Sequence, residues 1–204
     1  MTVHDIELES YRILRSRIDL SHLGPGARAV VERTIHASAD LGYATTMVVD
    51  EAAVEAGVAA LRSGAAVIAD VEMVRAGITG VRAWCYLAET TATSGLTRSA
   101  AAMRLAAERH PDGAVVAVGC APTALVEVVK LVRAGRFAPA LVVGLPVGFV
   151  GATEAKDVVR QCPIASITSV GEKGGSALAA AVVNTLVRLA DSSQFLSEPK
   201  AEGR

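Results

Sequence analysis

The fold class follows from residues 114–144, AVVAVGCAPTALVEVVKLVRAGRFAPALVVG. Two short runs of small apolar residues, at 114–119 and 139–144, enclose a helical pattern at 123–134. Continuous apolar strands that are separated by helices are typical of a parallel sheet covered on both faces. The segment therefore predicts two parallel strands joined by a right-handed helical crossover.

The same alternation extends to both sides of this segment. It predicts a three-layer α/β domain at residues 1–190, with a mostly parallel sheet and helices on both faces. Residues 191–204 are polar and predict a flexible tail. The segment 78–96 predicts a strand followed by a loop. Further strands are predicted at 45–50, 65–70 and 163–170, and further helices at 5–19, 25–41, 51–62, 97–109, 153–160 and 175–190.

Composition and charge exclude several classes of partner. The 20 basic and 21 acidic residues give a net charge of −1, so neither nucleic acid nor an anionic membrane is expected as a partner. The longest uncharged stretch, 137–153, is broken by prolines and glycines and predicts no membrane helix. The N-terminus is acidic and does not resemble a secretory signal. Cys85, Cys120 and Cys162 are odd in number and far apart, which favours a reducing, cytoplasmic location.

Three glycine-rich loops lead from predicted strands into predicted helices: GCAPTA from 119, GLPVGFVGAT from 144 and GEKGGSA from 171. Ligands of open parallel sheets bind beyond the carboxyl ends of the strands. Glycine allows close approach of the backbone, and helix N-termini favour negative charge. Each loop alone is equally well explained as a tight turn, but three at one edge of a sheet predict a ligand crevice. None completes a nucleotide-binding motif.

His36 is the candidate for proton transfer. On a helical wheel the predicted core stripe of the second helix lies opposite His36, whose neighbours are Glu32, Arg33 and Asp40. This face meets either solvent or a ligand or second subunit, and the charged row alone favours solvent. A catalytic imidazole would donate and accept a proton near neutral pH, and Asp40 could orient the ring or raise its pKa. The predicted core stripe consists of Ala27, Val30, Val31, Thr34, Ile35 and Ser38.

A possible anion site opens the helix at 97–109. Thr97, Arg98 and Ser99 would offer two hydroxyls, a guanidinium and free N–H groups to a carboxylate or phosphate. The alternative is that Thr97 only caps the helix. Both interpretations are open on the sequence.

The motif RTIHA at 33–37 resembles the R-x-I-H-A motif around the catalytic histidine of precorrin-8X methylmutases. The resemblance extends from about Ser10 to Leu189. Five further blocks are similar to that family in the same order: DVEMVRAGIT at 70–79, TRSAAA at 97–102, AVVAVGCAPTAL at 114–125, LPVGFVGA at 145–152 and KGGSA at 173–177.

This resemblance implies an isomerase of cobalamin synthesis that moves a methyl group from C-11 to C-12 of a tetrapyrrole acid. The substrate would be precorrin-8X or its cobalt-bearing form, and the product hydrogenobyrinate or cobyrinate. It further implies a homodimer with the active site at the subunit interface, so that a partner covers the polar row that carries His36. No metal and no cofactor are expected from the protein, because such a migration needs a proton placed on the ring system and an enclosure that stabilises the isomer with the shifted methyl.

By the same resemblance His36 is the proton donor and acceptor, and Ser10, Arg15 and Arg33 contact the substrate. Helical spacing does not put Arg15 on the same face as Ser10. We assign further substrate contacts to Thr79, to Thr97, Arg98 and Ser99, and to the loop of Lys173, Gly174, Gly175 and Ser176.

Other functions stay open on the residues alone: a non-catalytic corrinoid-binding or scaffold subunit, and another tetrapyrrole- or nucleotide-dependent transferase. The sequence departs from the family pattern at three positions. Asp40 ends HASAD where HACGM is common, Cys120 stands where asparagine is frequent, and Glu172 replaces a residue that is commonly basic.

Overall fold

A computed structural model describes residues 3–92 and 95–192 of the chain. Helices and strands alternate along most of this part. The helices are α1 (Val3–Arg17), α2 (Pro25–Ser38), α3 (Tyr43–Thr46), α4 (Glu51–Arg62), α5 (Glu72–Gly77), α6 (Arg98–Arg109), α7 (Pro122–Arg133), α8 (Ala152–Arg160) and α9 (Ser176–Asp191). The strands are β1 (Met47–Val48), β2 (Val67–Ala69), β3 (Ala83–Trp84), β4 (Val115–Val118), β5 (Leu141–Gly144) and β6 (Ser166–Ser169), and Leu87–Glu89 form a 3₁₀ turn.

The strands form one sheet in the order β1-β6-β5-β4-β2-β3. Every neighbouring pair is parallel except β1 and β6. In the centre of the sheet Ile68 lies opposite Val116, which in turn lies opposite Val142. The predicted mostly parallel sheet is therefore confirmed.

Two apolar cores lie on the two faces of the sheet, because successive strand residues point in opposite directions. Val115 and Ala117 join the core under α2, α4, α5 and α9, whereas Val116 and Val118 join the core under α6, α7 and α8. All four side chains are fully buried. Burial of a valine side chain contributes about 1.5–3 kcal/mol. Helices thus cover both faces, as predicted, and α1 packs on the outside of α2.

The first strand is shorter than predicted and runs against its neighbour. Residues 45–46 belong to α3, and Met47 of β1 lies opposite Ser169 in an antiparallel pair with β6. The cause lies in the end of α2. Asp40, two residues beyond this helix, is bound to Lys173 at the carboxyl edge of the sheet. The chain therefore enters β1 from that edge and runs towards the opposite one.

Two helix predictions also differ from the structure. α2 ends at Ser38 and not at residue 41, since Ala39 adopts a left-handed φ of 54° that ends the helix. A short helix, α5, follows β2, where no helix was predicted. Fewer than two turns are too short for the helical period to be recognised in a sequence.

The segment 78–96 contains the predicted strand, β3, and then the 3₁₀ turn, with Thr93 and Ser94 outside the described residues. The predicted tail, 191–204, lies outside them from Ser193 onward. Within the described ranges, no helix has both the length and the apolar character that a membrane span requires.

Candidate functional site

At the carboxyl ends of β2 and β4 the connections leave the sheet on opposite faces. The helix after β2 packs on one face and the helix after β4 on the other, the arrangement at which open α/β sheets bind ligands. Asp70, directly after β2, is fully buried. Its carboxylate accepts hydrogen bonds from the N–H groups of Gly119, Cys120 and Ala121 at 3.1, 2.9 and 2.8 Å. Burial raises the pKa of Asp70, although these bonds favour the ionised form. The carboxylate therefore shapes the turn that begins α7.

The three glycine-rich loops meet at this edge, as predicted. A Cβ atom on Gly119 would lie 2.7 Å from the Cα atom of Ser176, so the start of α9 packs directly on the first loop. The Gly175 N–H donates to the Leu145 carbonyl at 2.8 Å, which joins the third loop to the second. A Cβ atom on Gly174 would lie 2.2 Å from the same Leu145 oxygen. Only glycine permits this backbone contact.

The second loop carries an exposed apolar tip. Phe149 is 97% exposed and Val150 89% exposed. The tip is tied to the third loop, since the Gly148 N–H donates to the Glu172 carbonyl at 3.0 Å. Adjacent exposed apolar side chains of this size are characteristic of binding surfaces.

His36 lies under α1, half-buried at the contact between α1 and α2. Its Nδ1 atom is 2.9 Å from Ser10 Oγ. The imidazole stacks on the Tyr11 ring with centroids 4.9 Å apart and planes 9° apart. Within residues 3–92 and 95–192, Nε2 makes no hydrogen bond to the protein. The sequence left two environments open for this face: it could meet solvent, or it could meet a bound molecule, either a ligand or a second subunit. The structure adds a third, because a helix of the same chain covers one side of the ring.

Two ion pairs flank the histidine at the same contact. Arg15 binds Glu32 through Nε and Nη2 at 2.8 and 2.7 Å, and Glu32 is buried. Arg33 Nη1 lies 3.1 Å from Glu7 Oε1, and its buried Nε has no hydrogen-bond partner in the described part of the chain. The separation that the spacing suggested between Ser10 and Arg15 is not seen, because both side chains reach α2. The antiparallel packing of α1 along α2 and the length of the arginine account for this.

Asp40 does not orient His36 in this structure. Its carboxylate accepts a hydrogen bond from Lys173 Nζ at 2.5 Å and another from the Gly42 N–H at 2.9 Å. The hydrogen bond from Lys173, followed by the one from Gly42, lowers the pKa of Asp40. Asp40 instead ties the end of α2 to the third loop, one helical turn beyond the histidine.

Thr97 caps α6, as the simpler of the two interpretations held. Its Oγ1 accepts from the Ala100 N–H at 3.2 Å and donates to Thr123 Oγ1 at 2.8 Å. The Arg98 Nε donates to the Leu87 carbonyl at 3.0 Å. The start of α6 is thereby joined to the start of α7, beside the turn that Asp70 shapes.

The other predicted contacts lie apart from His36. Thr79 is exposed, and its backbone N–H donates to Asn184 Oδ1 at 3.0 Å. Ser99 is half-buried in the first turn of α6. Among the described residues, no hydrogen bond or ion pair joins His36 to Thr79 or to residues 97–99. Most of the predicted site residues thus fall into two groups, one at α1 and α2 and one at the carboxyl edge, whereas Thr79 precedes β3 and contacts the middle of α9.

Lys156 of α8 is a functional candidate that the sequence analysis missed. It is fully buried, and its Nζ donates to Ser169 Oγ at 3.1 Å and to the Lys173 carbonyl at 2.8 Å. Burial, followed by the charge of Arg160, lowers the pKa of Lys156 to about 8. A signal was present in the sequence, because the lysine falls within the apolar stripe of its helix at i, i+3, i+4, i+7 spacing. The stripe consists of Ala152, Ala155, Lys156 and Val159.

In the described ranges, no cluster of three or more histidine, cysteine, aspartate or glutamate side chains could hold a metal ion. The fold places the chain among the α/β proteins with an open, mostly parallel sheet, whose ligands generally bind beyond the carboxyl ends of the strands.

Known proteins make the assignment specific. The family model of precorrin-8X methylmutase matches residues 5–189. A cobalt-precorrin-8 methylmutase of Methanocaldococcus jannaschii is 35% identical over 201 residues, which cover 93% of this chain and 95% of that protein. A precorrin-8X methylmutase of Sinorhizobium is 38% identical over 194 residues, which cover 88% of this chain and 91% of that protein. The crystal structure of precorrin-8X methylmutase from Thermus thermophilus superposes with a TM-score of 0.81 at 39% identity, covering 91% and 96%. The chain belongs to the precorrin-8X methylmutase family.

Proposed function

We propose that this protein catalyses the methyl shift of its family, from C-11 to C-12 of precorrin-8X or cobalt-precorrin-8, in cobalamin biosynthesis. The observation that carries the proposal is the imidazole of His36, which Ser10 and Tyr11 hold in a chain of this family. The product is hydrogenobyrinate or, with cobalt, cobyrinate. The reaction takes place in the cytoplasm.

His36 exchanges a proton with the tetrapyrrole through Nε2. Ser10 fixes the ring at Nδ1, so the opposite nitrogen is the one that can face a substrate. When the serine hydroxyl donates to Nδ1, the proton of the neutral ring is on Nε2 and is available to the macrocycle. A well-placed general acid of this kind contributes about 10²–10⁴-fold to a rate.

Arg15, Arg33, Lys173 and the start of α9 bind the carboxylates of the substrate. Each arginine keeps N–H groups beyond those that its glutamate uses. At the carboxyl edge, the Ser176 and Ala177 N–H groups precede the first two bonded amides of α9, those of Leu178 and Ala179. Such free amides at a helix start favour an anion.

A homodimer completes the enclosure in this proposal. The cleft beside Tyr11, Arg15 and Glu32, whose lining ends at Tyr11 and does not include His36, has a volume of about 380 Å³, near the lower end of the 300–1,000 Å³ typical of small-molecule sites. A large tetrapyrrole acid would extend beyond it. The second subunit would cover the remaining face and bring the exposed tip at Phe149 and Val150 out of water. Sedimentation should give a dimer, and a monomer with full turnover would contradict an interface site.

His36→Ala is the direct test. The variant should lose methyl migration by about 10²–10⁴-fold while it keeps most of its affinity for the tetrapyrrole, because the ring donates a proton and adds little area to the core. His22→Ala changes an exposed histidine and serves as the matched control. Turnover is followed by absorbance and mass with metal-free and cobalt-loaded precorrin-8. A His36→Ala protein that converts substrate at the wild-type rate would refute the assignment.

A further inference from the structure

Lys156 lies at the centre of a buried polar cluster beneath the loop 171–175. Its ammonium group donates to the Lys173 carbonyl and to Ser169 Oγ, and the serine hydroxyl donates to the same carbonyl at 2.9 Å. The side chain of Lys173 continues from this fixed peptide to Asp40, at the end of the helix that carries His36. One buried cation is thus connected to both groups of site residues.

The stability of the fold does not account for this lysine. A fully buried ammonium group loses its hydration, and apolar replacements of buried charged groups are often neutral or stabilising. The Lys173 carbonyl would keep a hydrogen-bond partner without Lys156, since Ser169 also donates to it. A methionine of similar length would fill the same space in the apolar stripe of α8. The cation is therefore best explained by the loop that it holds.

We propose that Lys156 is a positioning residue of the methyl shift, whose ammonium group fixes the Lys173 peptide and so the shape in which residues 171–175 receive a carboxylate of the tetrapyrrole. This inference rests on the proposed function. Among the described residues no side chain caps α9, and the loop contains two consecutive glycines, so its own residues do little to restrict it. The two hydrogen bonds from below supply that restriction. They also direct the Lys173 side chain towards Asp40.

The test compares Lys156→Met with wild type, and Lys130→Met on the exposed face of α7 is the matched control. We expect Lys156→Met to raise KM and weaken tetrapyrrole binding by about tenfold, with kcat changed by less than about threefold and no loss of thermal stability. The effect should shrink in a Lys173→Ala background, because both changes act on the same loop. The control should leave KM, kcat and stability as they are. A purely structural lysine would instead lower the melting temperature and leave KM unchanged.

Ser169→Ala gives a second route to the answer if Lys156→Met does not fold. This variant removes one acceptor of the ammonium group and one donor to the Lys173 carbonyl, and it should raise KM in the same direction. The inference would be overturned if the folded Lys156→Met protein kept the KM and the tetrapyrrole affinity of wild type. If only Ser169→Ala folds, the same result in that variant would overturn it. A wild type that neither binds nor converts the tetrapyrrole would refute the proposed function and the role of Lys156 together. Conversion by wild type with an unaffected variant would refute the role of Lys156 alone.

Discussion

Replacing Asp70 with asparagine should lower the free energy of unfolding by about 2–3 kcal/mol. The change keeps the size of the side chain but leaves one acceptor oxygen where the carboxylate has two. In the wild type, Oδ1 accepts from the Gly119 N–H, and Oδ2 accepts from those of Cys120 and Ala121. The best placement of the amide turns its oxygen towards the last two and its NH₂ towards Gly119.

The expected loss of unfolding free energy follows from that placement of the amide. One hydrogen bond to a charged group is lost, which costs about 1.5–3 kcal/mol, and a buried N–H is left facing another donor, at about 1–3 kcal/mol. The neutral amide also escapes the burial penalty that raises the pKa of Asp70, and this relief offsets part of the loss. We therefore expect a loss at or slightly below the lower end of the summed range of about 2.5–6 kcal/mol. For a chain of this size the melting temperature should fall by about 4–12 °C.

Urea unfolding followed by circular dichroism measures this difference, with the midpoint read at constant slope. Asp112→Asn, on an exposed residue, is the control and should change stability by less than about 0.5 kcal/mol. If Asp70→Asn is as stable as the control, the carboxylate does not hold the turn before α7.

Two further predictions concern the loop 171–175. Gly174→Ala should destabilise the protein by about 1–3 kcal/mol and weaken tetrapyrrole binding, since the new Cβ would lie 2.2 Å from a backbone oxygen that cannot swing away. Gly64→Ala has open space and a φ of +79°, so as a control it should cost only about 1–2 kcal/mol and leave binding intact. For Lys156, a folded-state pKa of about 8 against an ordinary 10.5 means that the unfolded chain holds the extra proton between these values. The free energy of unfolding of wild type, relative to that of Lys156→Met, should therefore rise by up to about 3 kcal/mol as pH rises from 8 to 10.5. Unfolding curves of both proteins across this pH range measure the difference. Arg160 and Asp157 on α8 and Glu172 above it are the charges nearest the amine, and they are common to both proteins.

Hydrophobic periodicity was sufficient for the layers but not for the direction of one strand. The long apolar runs of β4 and β5 carry the signal of strands buried on both faces, and both lie where they were predicted. The sequence of a two-residue strand such as β1 does not indicate whether the strand runs parallel or antiparallel to its neighbour. The direction follows from where α2 ends, at the edge of the sheet where Asp40 meets Lys173, 133 residues away in the chain. No local pattern reports such a contact.

The site shows the same division between local and long-range information. A helical wheel identifies the face of α2 that avoids the core, and it placed His36 there correctly. It carries no information on which element covers that face. Here the cover is α1, which brings Ser10 and Tyr11 against the imidazole. The sequence therefore yielded the candidate residue, while its partners required the packing of two helices.

Buried charge was the signal that the sequence analysis underused. Asp70, Lys156 and Glu32 are each buried beside a predicted contact, and each is bound to a turn, a loop or an arginine. A charge in an apolar interior is costly unless it is fully paired, so a fold keeps one where the geometry it enforces is needed. These three lie at the carboxyl edge or at the contact of α1 with α2, next to residues assigned to substrate, whereas the buried Glu127 pairs with Arg104 between α6 and α7. A charged residue within an apolar stripe, as at Lys156 or Glu127, thus indicates in the sequence a buried charge that needs a partner, and for Lys156 that partner is a loop near the proposed site.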